Sequence, residues 1–199
     1  MKAFTKKIVL ENGREFYGYG FGADREAINE IVFNTSMVGY QEIMSDPSYT
    51  DQMVVMTYPL IGNYGMADED YETKTPTIGG MIVREYNDSP SNFRYTKTLN
   101  EVFEEHDIPA IWGVDTRTLT RIIRESGVMN GAILTTFDPA DPAHKAETEA
   151  LLAEIRAYAV TDAVKNVTCA APEVFNPEGE THIVLMHYGC KRNIVRCLV

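Results

Sequence analysis

The stretch from Asn34 to Gly65 places one short apolar run, Met53 to Met56, between two polar loops that are rich in turn residues. A run of this length bounded by turns is typical of a buried strand, although length alone does not distinguish it from a buried helical segment. The first loop, Ser45 to Ser48, contains a proline and an aspartate, which together favour a tight turn. In the second loop, Gly62 allows positive φ. The sequence therefore predicts a strand with a defined polar loop at each end.

Composition limits the class of protein. The chain has 199 residues, enough for one domain and a remainder, with 44% hydrophobic and 24% charged residues, as in ordinary soluble proteins. A net charge of -11 argues against binding to nucleic acid, because such proteins need a basic surface. The first apolar run is too short for a signal peptide or a membrane span, so a cytoplasmic location is expected. Cys169, Cys190 and Cys197 have no CxxC spacing and are expected to be reduced.

The first half of the chain favours strands. Asn12-Gly13 predicts a hairpin between Lys7–Leu10 and Arg14–Gly18, and the following glycines are expected to loosen the chain. Two further apolar segments, Ile28–Phe33 and Ile78–Val83, are predicted strands. Between them lies an acidic run, residues 68 to 72, which is interpreted as a solvated loop in preference to a metal site because no ligand pattern follows it.

Helical signals begin near residue 98, and they alternate with strands in a way that indicates an α/β domain over residues 1–158. Caps and apolar periodicity define three helices. The predicted elements are a helix with a Thr98–Glu101 capping box, a strand Ala110–Val114, a helix Thr116–Ser126 capped by Asp115, a strand Ala132–Phe137, and a helix that follows Asp141-Pro142 and ends near Tyr158.

The second helix carries Arg117, Arg121 and Arg124 at spacings of four and three residues. They share one face, opposite the apolar face. A solvated surface is one interpretation, and a dock for an acidic partner is the other.

Residues 159–181 lose periodicity and are interpreted as a linker. A predicted strand, Ile183–Met186, then leads through a turn into a helix that starts at Asn193, so the chain is expected to stop at the opening βα unit of a second domain, residues 182–199. Cys190 lies in that βα turn, where a helix N-terminus can lower the pKa of a thiol. Its neighbour His187 is not reliably placed to act as a base.

Several motifs, in order, resemble the small, glutamine-hydrolysing subunit of carbamoyl phosphate synthetase over nearly the whole chain. These are VFNTSMVGYQEIMSDPSY at 32–49, TYPLIGNYG at 57–65, PSNFR at 90–94, VDTRTLTRIIRESG at 114–127 and YGCKRNIVR at 188–196.

The resemblance implies a three-layer β/β/α swivelling domain, followed by the first residues of a class I glutamine amidotransferase domain. The family's cysteine nucleophile, histidine and glutamate have no counterparts here, so no catalytic residue is assigned, and His187 and Cys190 depart from the family's usual aspartate and small residue. Ser48 matches the serine that reaches toward L-glutamine.

By the same resemblance, the domain docks on the large subunit, which uses ATP and Mg²⁺ to convert bicarbonate and ammonia into carbamoyl phosphate for pyrimidine and arginine synthesis. No cofactor or metal is expected in this chain, and no nucleic acid or membrane partner. Two alternatives stay open: a non-enzymatic docking module, and a stand-alone hydrolase that uses Cys190.

Overall fold

The computed structural model describes residues 3–135 and 143–199, and within these ranges it contains nine strands, seven of which close into a barrel. The other two form a small separate sheet. The strands are β1 (Lys6–Leu10), β2 (Glu15–Gly22), β3 (Ala27–Asn34), β4 (Gln52–Met56), β5 (Leu60–Ile61), β6 (Gly80–Ile82), β7 (Glu85–Tyr86), β8 (Pro109–Trp112) and β9 (Met129–Thr135).

The helices lie between and after these strands. None in the described ranges is long and apolar enough to cross a membrane. They are α1 (Tyr40–Ser45), α2 (Leu99–Glu105), α3 (Thr116–Ser126), α4 (Ala143–Ala157), α5 (Ala163–Val167) and α6 (Arg192–Arg196), and a 3-10 turn spans Pro47–Tyr49.

The barrel has a parallel and an antiparallel part. Its order is β1-β2-β8-β6-β4-β3-β9, and the pairs β3–β4, β4–β6 and β6–β8 are parallel. Parallel neighbours need crossover connections, and α1 and α2 lie in two of them. The carboxyl ends of four strands therefore meet at one edge of the barrel, and their amino ends meet at the other.

The apolar run in β4 is buried because both faces of that strand are covered. Met53 and Val55 join a cluster that collects side chains from β1, β3, β6, β8 and β9, which is the barrel interior. Val54 and Met56 join a second cluster with residues of α1 and α2 outside the barrel. This arrangement confirms the predicted strand and explains why the run shows no polar alternation.

Helix α3 has the predicted bounds, Thr116–Ser126, and begins at a side-chain cap. Asp115 accepts a hydrogen bond from the Thr118 amide at 3.1 Å, and its other oxygen accepts from the Thr118 hydroxyl at 2.8 Å. Both bonds lower the pKa of Asp115 from its usual 3.8, and the bond from the Thr118 amide has the larger effect. The apolar face of the helix, Leu119, Ile122 and Ile123, is buried in the interior cluster.

Asp115→Ala is expected to lower the free energy of unfolding by about 1 kcal/mol, because an orphan amide loses its acceptor. The pKa is depressed in the folded state, so the contribution of the charge is complete above about pH 3.8 and is lost as the pH falls below that value. Urea unfolding at pH 7 and pH 3 measures the difference. Asp115→Asn, which keeps an acceptor without the charge, should show a difference from wild type that is smaller at pH 3 than at pH 7.

Most local predictions are confirmed. The structure contains the hairpin around Asn12-Gly13, the strand at Ile28–Phe33 and the complete Thr98–Glu101 capping box. The end of the strand predicted to reach Phe137 and the cap at Asp141-Pro142 lie outside the described residues.

Two local predictions are wrong. The glycines after Arg14 do not loosen the chain: β2 continues through them, and Gly18 is required because a Cβ there would lie 2.3 Å from the Trp112 carbonyl oxygen. Helix α1 lies in the polar stretch before β4, for which no helix was predicted, because its N-cap, Gly39, supplies no side-chain cap. Helix α5 lies within residues 159–181, which stay a predicted linker.

The predicted strand at Ile183–Met186 is also absent from the structure. Its four side chains are between 42% and 76% exposed, and the segment pairs with no strand in the described ranges. A strand needs a hydrogen-bonded neighbour, and apolar β-branched residues alone do not supply one. The helix predicted from Asn193 is confirmed as α6.

Candidate functional site

Ser48 lies in the 3-10 turn at the amino end of β4, and that turn is closed by side chains on both sides of it. The Ser48 amide donates to Asp46 Oδ1 at 2.9 Å, and the Thr50 hydroxyl donates to the Pro47 carbonyl oxygen at 2.7 Å. Asp46, Pro47 and Thr50 are buried, whereas Ser48 is exposed. The predicted turn is confirmed. It presents the Ser48 hydroxyl to solvent on a fixed backbone, where the hydroxyl can donate to or accept from a polar ligand.

The segment 188–196 packs against this turn, although it is far away in the sequence. Lys191 Nζ lies 2.6 Å from Asp46 Oδ2, and this hydrogen bond is the main cause that raises the pKa of Lys191. Gly189 has φ of +94°, and a Cβ there would lie 2.9 Å from Val167 Cγ2 and 3.4 Å from Pro47 Cβ. Only glycine satisfies both the backbone conformation and this close approach. The YGCK motif is therefore seated directly on the Ser48 turn.

The acidic run, residues 68–72, holds α6 in place. The Arg192 amide donates to the Glu72 carbonyl oxygen at 2.7 Å, and the Arg196 guanidinium donates to the Glu69 carbonyl oxygen at 2.9 Å. The Glu72 amide in turn donates to Ser45 Oγ at 2.9 Å, one residue before the capping aspartate of the turn. The run thus joins the end of α1 to the beginning of α6.

Two carboxylates of the acidic run form ion pairs with an arginine. Arg94 of the PSNFR motif lies 3.2 Å from both Glu69 and Asp70 carboxylates. Within residues 3–135 and 143–199, no group of three or more His, Cys, Asp or Glu side chains is placed to hold a metal ion.

Cys190 does not have the environment of an activated thiol. Burial raises the pKa of the Cys190 thiol, and its Sγ contacts the Lys191 carbonyl oxygen at 3.5 Å. No hydrogen bond joins Cys190 to His187 in the described part of the chain. Because a nucleophilic cysteine needs a lowered pKa or an adjacent base, this geometry does not support the stand-alone hydrolase.

The three arginines of α3 lie elsewhere on the molecule. Arg117, Arg121 and Arg124 are exposed, and none forms an ion pair or a side-chain hydrogen bond with a residue in the ranges that the structure covers. The structure therefore brings Ser48 together with the 188–196 segment and leaves the arginines on a separate surface.

The contacts of two residues that position the Ser48 turn were not predicted from the sequence: Lys191 lies in a distant segment, and Ser45 was assigned to the turn without a partner. Ser45 and Lys191 contact the turn or its neighbours only in the folded chain. The sequence offers one indication of the contact between Asp46 and Lys191, which is that the DPSY and YGCKR motifs carry opposite charges. Opposite charge alone does not identify a contact.

Comparison with known proteins agrees with the motifs. The family described as carbamoyl-phosphate synthase small chain, CPSase domain, matches residues 8–133. The carbamoyl phosphate synthase small chain of Staphylococcus saprophyticus is 44% identical over 190 residues, which are 95% of this chain and 50% of that protein. The small chain of Fusobacterium nucleatum is 43% identical, covering 98% of this chain and 52% of that protein.

A third relative, the pyrimidine-specific small chain of Halalkalibacterium halodurans, is 43% identical, covering 98% of this chain and 51% of its own length. Among solved structures, an aminopeptidase from Aneurinibacillus aligns with a TM-score of 0.37 at 11% identity, over 68% of this chain and 31% of that one, which is too distant to carry an argument. The chain spans about half the length of the curated relatives it matches. On these matches, the chain belongs to the family of carbamoyl-phosphate synthase small chains.

Proposed function

We propose that this chain is part of a small subunit that releases ammonia from L-glutamine and delivers it to a large subunit, which uses ATP, Mg²⁺ and bicarbonate to make carbamoyl phosphate. The observation that carries the proposal is the seating of the YGCK motif on the Ser48 turn. A glutamine site shared between two domains requires a group that binds the substrate where the two sequence regions meet. The Ser48 hydroxyl lies at such a place. The subunit works in the cytoplasm as a heterodimer and serves pyrimidine and arginine synthesis.

The proposed domain organisation follows from the same relationship. Residues 1–158 form the amino-terminal domain, with the three-layer β/β/α swivelling arrangement of the family, and residues 159–181 form a linker. Residues 182–199, which contain α6, are the beginning of the glutamine amidotransferase domain. The exposed apolar side chains of Ile183–Met186 support this assignment, because they are available to pack into the core of such a domain.

The roles of the chain's own residues are limited to binding. Ser48 donates a hydrogen bond to, or accepts one from, a polar group of L-glutamine, and Asp46 and Lys191 hold its turn. Arg117, Arg121 and Arg124 dock on the large subunit. No residue here acts as nucleophile, acid or base, so glutamine hydrolysis depends on residues of the family's longer chain.

Ser48→Ala, made in the full-length small subunit assembled with its large subunit, is expected to raise KM for glutamine roughly fivefold, because one net hydrogen bond is lost. Steady-state glutamine-dependent synthesis measures this change. The rate with ammonium supplied directly should be unaltered, since that reaction bypasses glutamine binding.

Ser89→Ala is the matched control, because Ser89 is also exposed and also lies in a turn. Glutamine kinetics for Ser48→Ala that equal those of Ser89→Ala would remove Ser48 from the substrate site.

A further inference from the structure

Ser45, the last residue of α1, joins two segments of the chain through its hydroxyl. The side chain is 0% exposed, and the hydroxyl donates to the Gln41 carbonyl oxygen at 2.8 Å. The same oxygen accepts from the Glu72 amide at 2.9 Å, and these two residues are 27 positions apart in the sequence. A hydroxyl has one proton to donate, and here both donation and acceptance are used inside the protein. Ser45 therefore connects α1 to the acidic run.

The hydrogen bonds continue from Glu72 to α6. The Glu72 carbonyl oxygen accepts from the amide of Arg192, the first residue of α6, at 2.7 Å. Three hydrogen bonds therefore run in one direction from α6 to α1, from Arg192 to Glu72, to Ser45 and to Gln41. We call these three bonds the Ser45 relay. Its α1 end lies immediately before the Ser48 turn in the sequence.

The α1 end of the Ser45 relay is itself anchored. The Gln41 side chain is 1% exposed, and its amide group both donates to the Ala67 carbonyl oxygen at 2.6 Å and accepts from the Ala67 amide at 2.9 Å. The Thr73 hydroxyl adds a bond of 2.8 Å to the Ser45 carbonyl oxygen. Opening such an arrangement leaves buried polar groups without partners, which is costly. The relay therefore starts from a rigid support.

The Ser45 relay and the ion pair between Asp46 and Lys191 join the same two segments by different means. The Lys191 ammonium ends a flexible four-carbon chain that is 41% exposed, so the ion pair keeps the segments close without fixing their orientation. The relay consists of one short side chain and backbone groups, and it cannot change shape without breaking a hydrogen bond. The relay is therefore the contact that fixes the Ser48 turn relative to α6.

We propose that Ser45 is a positioning residue for the glutamine site, which holds the Ser48 hydroxyl at a fixed place relative to α6. Ser45 acts through the turn and does not touch the substrate, because its side chain is fully buried. This inference rests on the proposed function, because it takes Ser48 as the group that binds L-glutamine. It adds Ser45, with Thr73 as its support, to the residues on which glutamine binding depends.

The test measures steady-state glutamine-dependent synthesis by the full-length small subunit assembled with its large subunit. Ser45→Ala is expected to raise KM for glutamine about three- to fivefold at a nearly unchanged kcat, because a displaced turn loses at most the one hydrogen bond that Ser48 makes. A merely structural role would instead lower kcat at an unchanged KM, since fewer subunits would be folded. Ser45→Thr keeps the hydroxyl and should return KM to within about 1.5-fold of wild type.

Thr73→Val is the second variant, and it decides the question if Ser45→Ala does not assemble. It keeps the shape of the side chain, removes the bond to the Ser45 carbonyl oxygen, and is expected to raise KM at least about twofold. Thr96→Val is its matched control, because the Thr96 hydroxyl donates to the Met66 carbonyl oxygen at 3.2 Å, outside the Ser45 relay. The control should leave KM unchanged.

Combining Ser45→Ala with Ser48→Ala separates this inference from the proposed function. If Ser45 acts through Ser48, the double variant has the KM of Ser48→Ala alone, whereas multiplied effects would overturn the inference. If Ser48→Ala raises KM and neither Ser45→Ala nor Thr73→Val differs from Thr96→Val, only the inference is overturned. If Ser48→Ala behaves like its own control, Ser89→Ala, the proposed glutamine site is wrong and the inference is overturned with it.

Discussion

Phe103→Ala is expected to lower the free energy of unfolding by about 3–5 kcal/mol, because it removes a fully buried aromatic ring and leaves a cavity. Phe103 is 0% exposed in α2, and its ring stacks on Phe21 of β2 with centroids 5.9 Å apart. The ring thereby joins the helical layer to the barrel. Urea unfolding followed by circular dichroism measures the loss as a lower midpoint at an unchanged slope.

The control is the same substitution at the opposite extreme of exposure. Phe93 is 95% exposed, so Phe93→Ala should change the free energy of unfolding by less than about 0.5 kcal/mol. Equal losses for the two variants would contradict the assignment of Phe103 to the core.

Asp46→Ala is expected to lower the free energy of unfolding by about 2 kcal/mol, because one carboxylate serves two partners. One oxygen accepts from the Ser48 amide at 2.9 Å, and the other lies 2.6 Å from Lys191 Nζ. The Asp46 side chain is 13% exposed, but that of Lys191 is 41% exposed, so solvent weakens the ion pair. About half of the loss is therefore assigned to the cap of the turn.

A double-mutant cycle with Lys191→Met isolates the ion pair. The coupling free energy between Asp46→Ala and Lys191→Met is expected to be about 1 kcal/mol and to decrease at high salt. Asp46→Asn keeps an acceptor for the Ser48 amide, so its free energy of unfolding should fall only by the contribution of the ion pair with Lys191. A coupling free energy of zero would show that the 188–196 segment does not hold the turn in solution.

Predictions from the sequence succeeded where the cause of the structure is local. The first and last residues of helix α3, Thr116 and Ser126, were predicted correctly. The capping aspartate, the apolar face and the terminal glycine that define the helix all lie within it or next to it in the sequence. The strand at Met53–Met56 and the capping box at Thr98 were also predicted from residues a few positions apart. The Ser48 turn belongs to the same class, since proline and aspartate define it.

Features that depend on distant partners were not predictable in this way. Nothing in β2 indicates that Gly18 faces the Trp112 carbonyl oxygen, and nothing near Asp46 indicates Lys191. The converse error concerns Ile183–Met186, where strand propensity is present and a partner strand is not. Local patterns specify what a segment can form, whereas pairing decides what it does form.

Barrel closure has a consequence for the behaviour of this chain in concentrated solution. A closed sheet offers no row of unpaired amides and carbonyls to another molecule, so the seven strands of the barrel are protected from edge-to-edge aggregation. Ile183–Met186 has no such protection, since its apolar side chains are exposed and its backbone is unpaired in the described structure. Intermolecular β-pairing is therefore expected to start at this segment and not at the barrel.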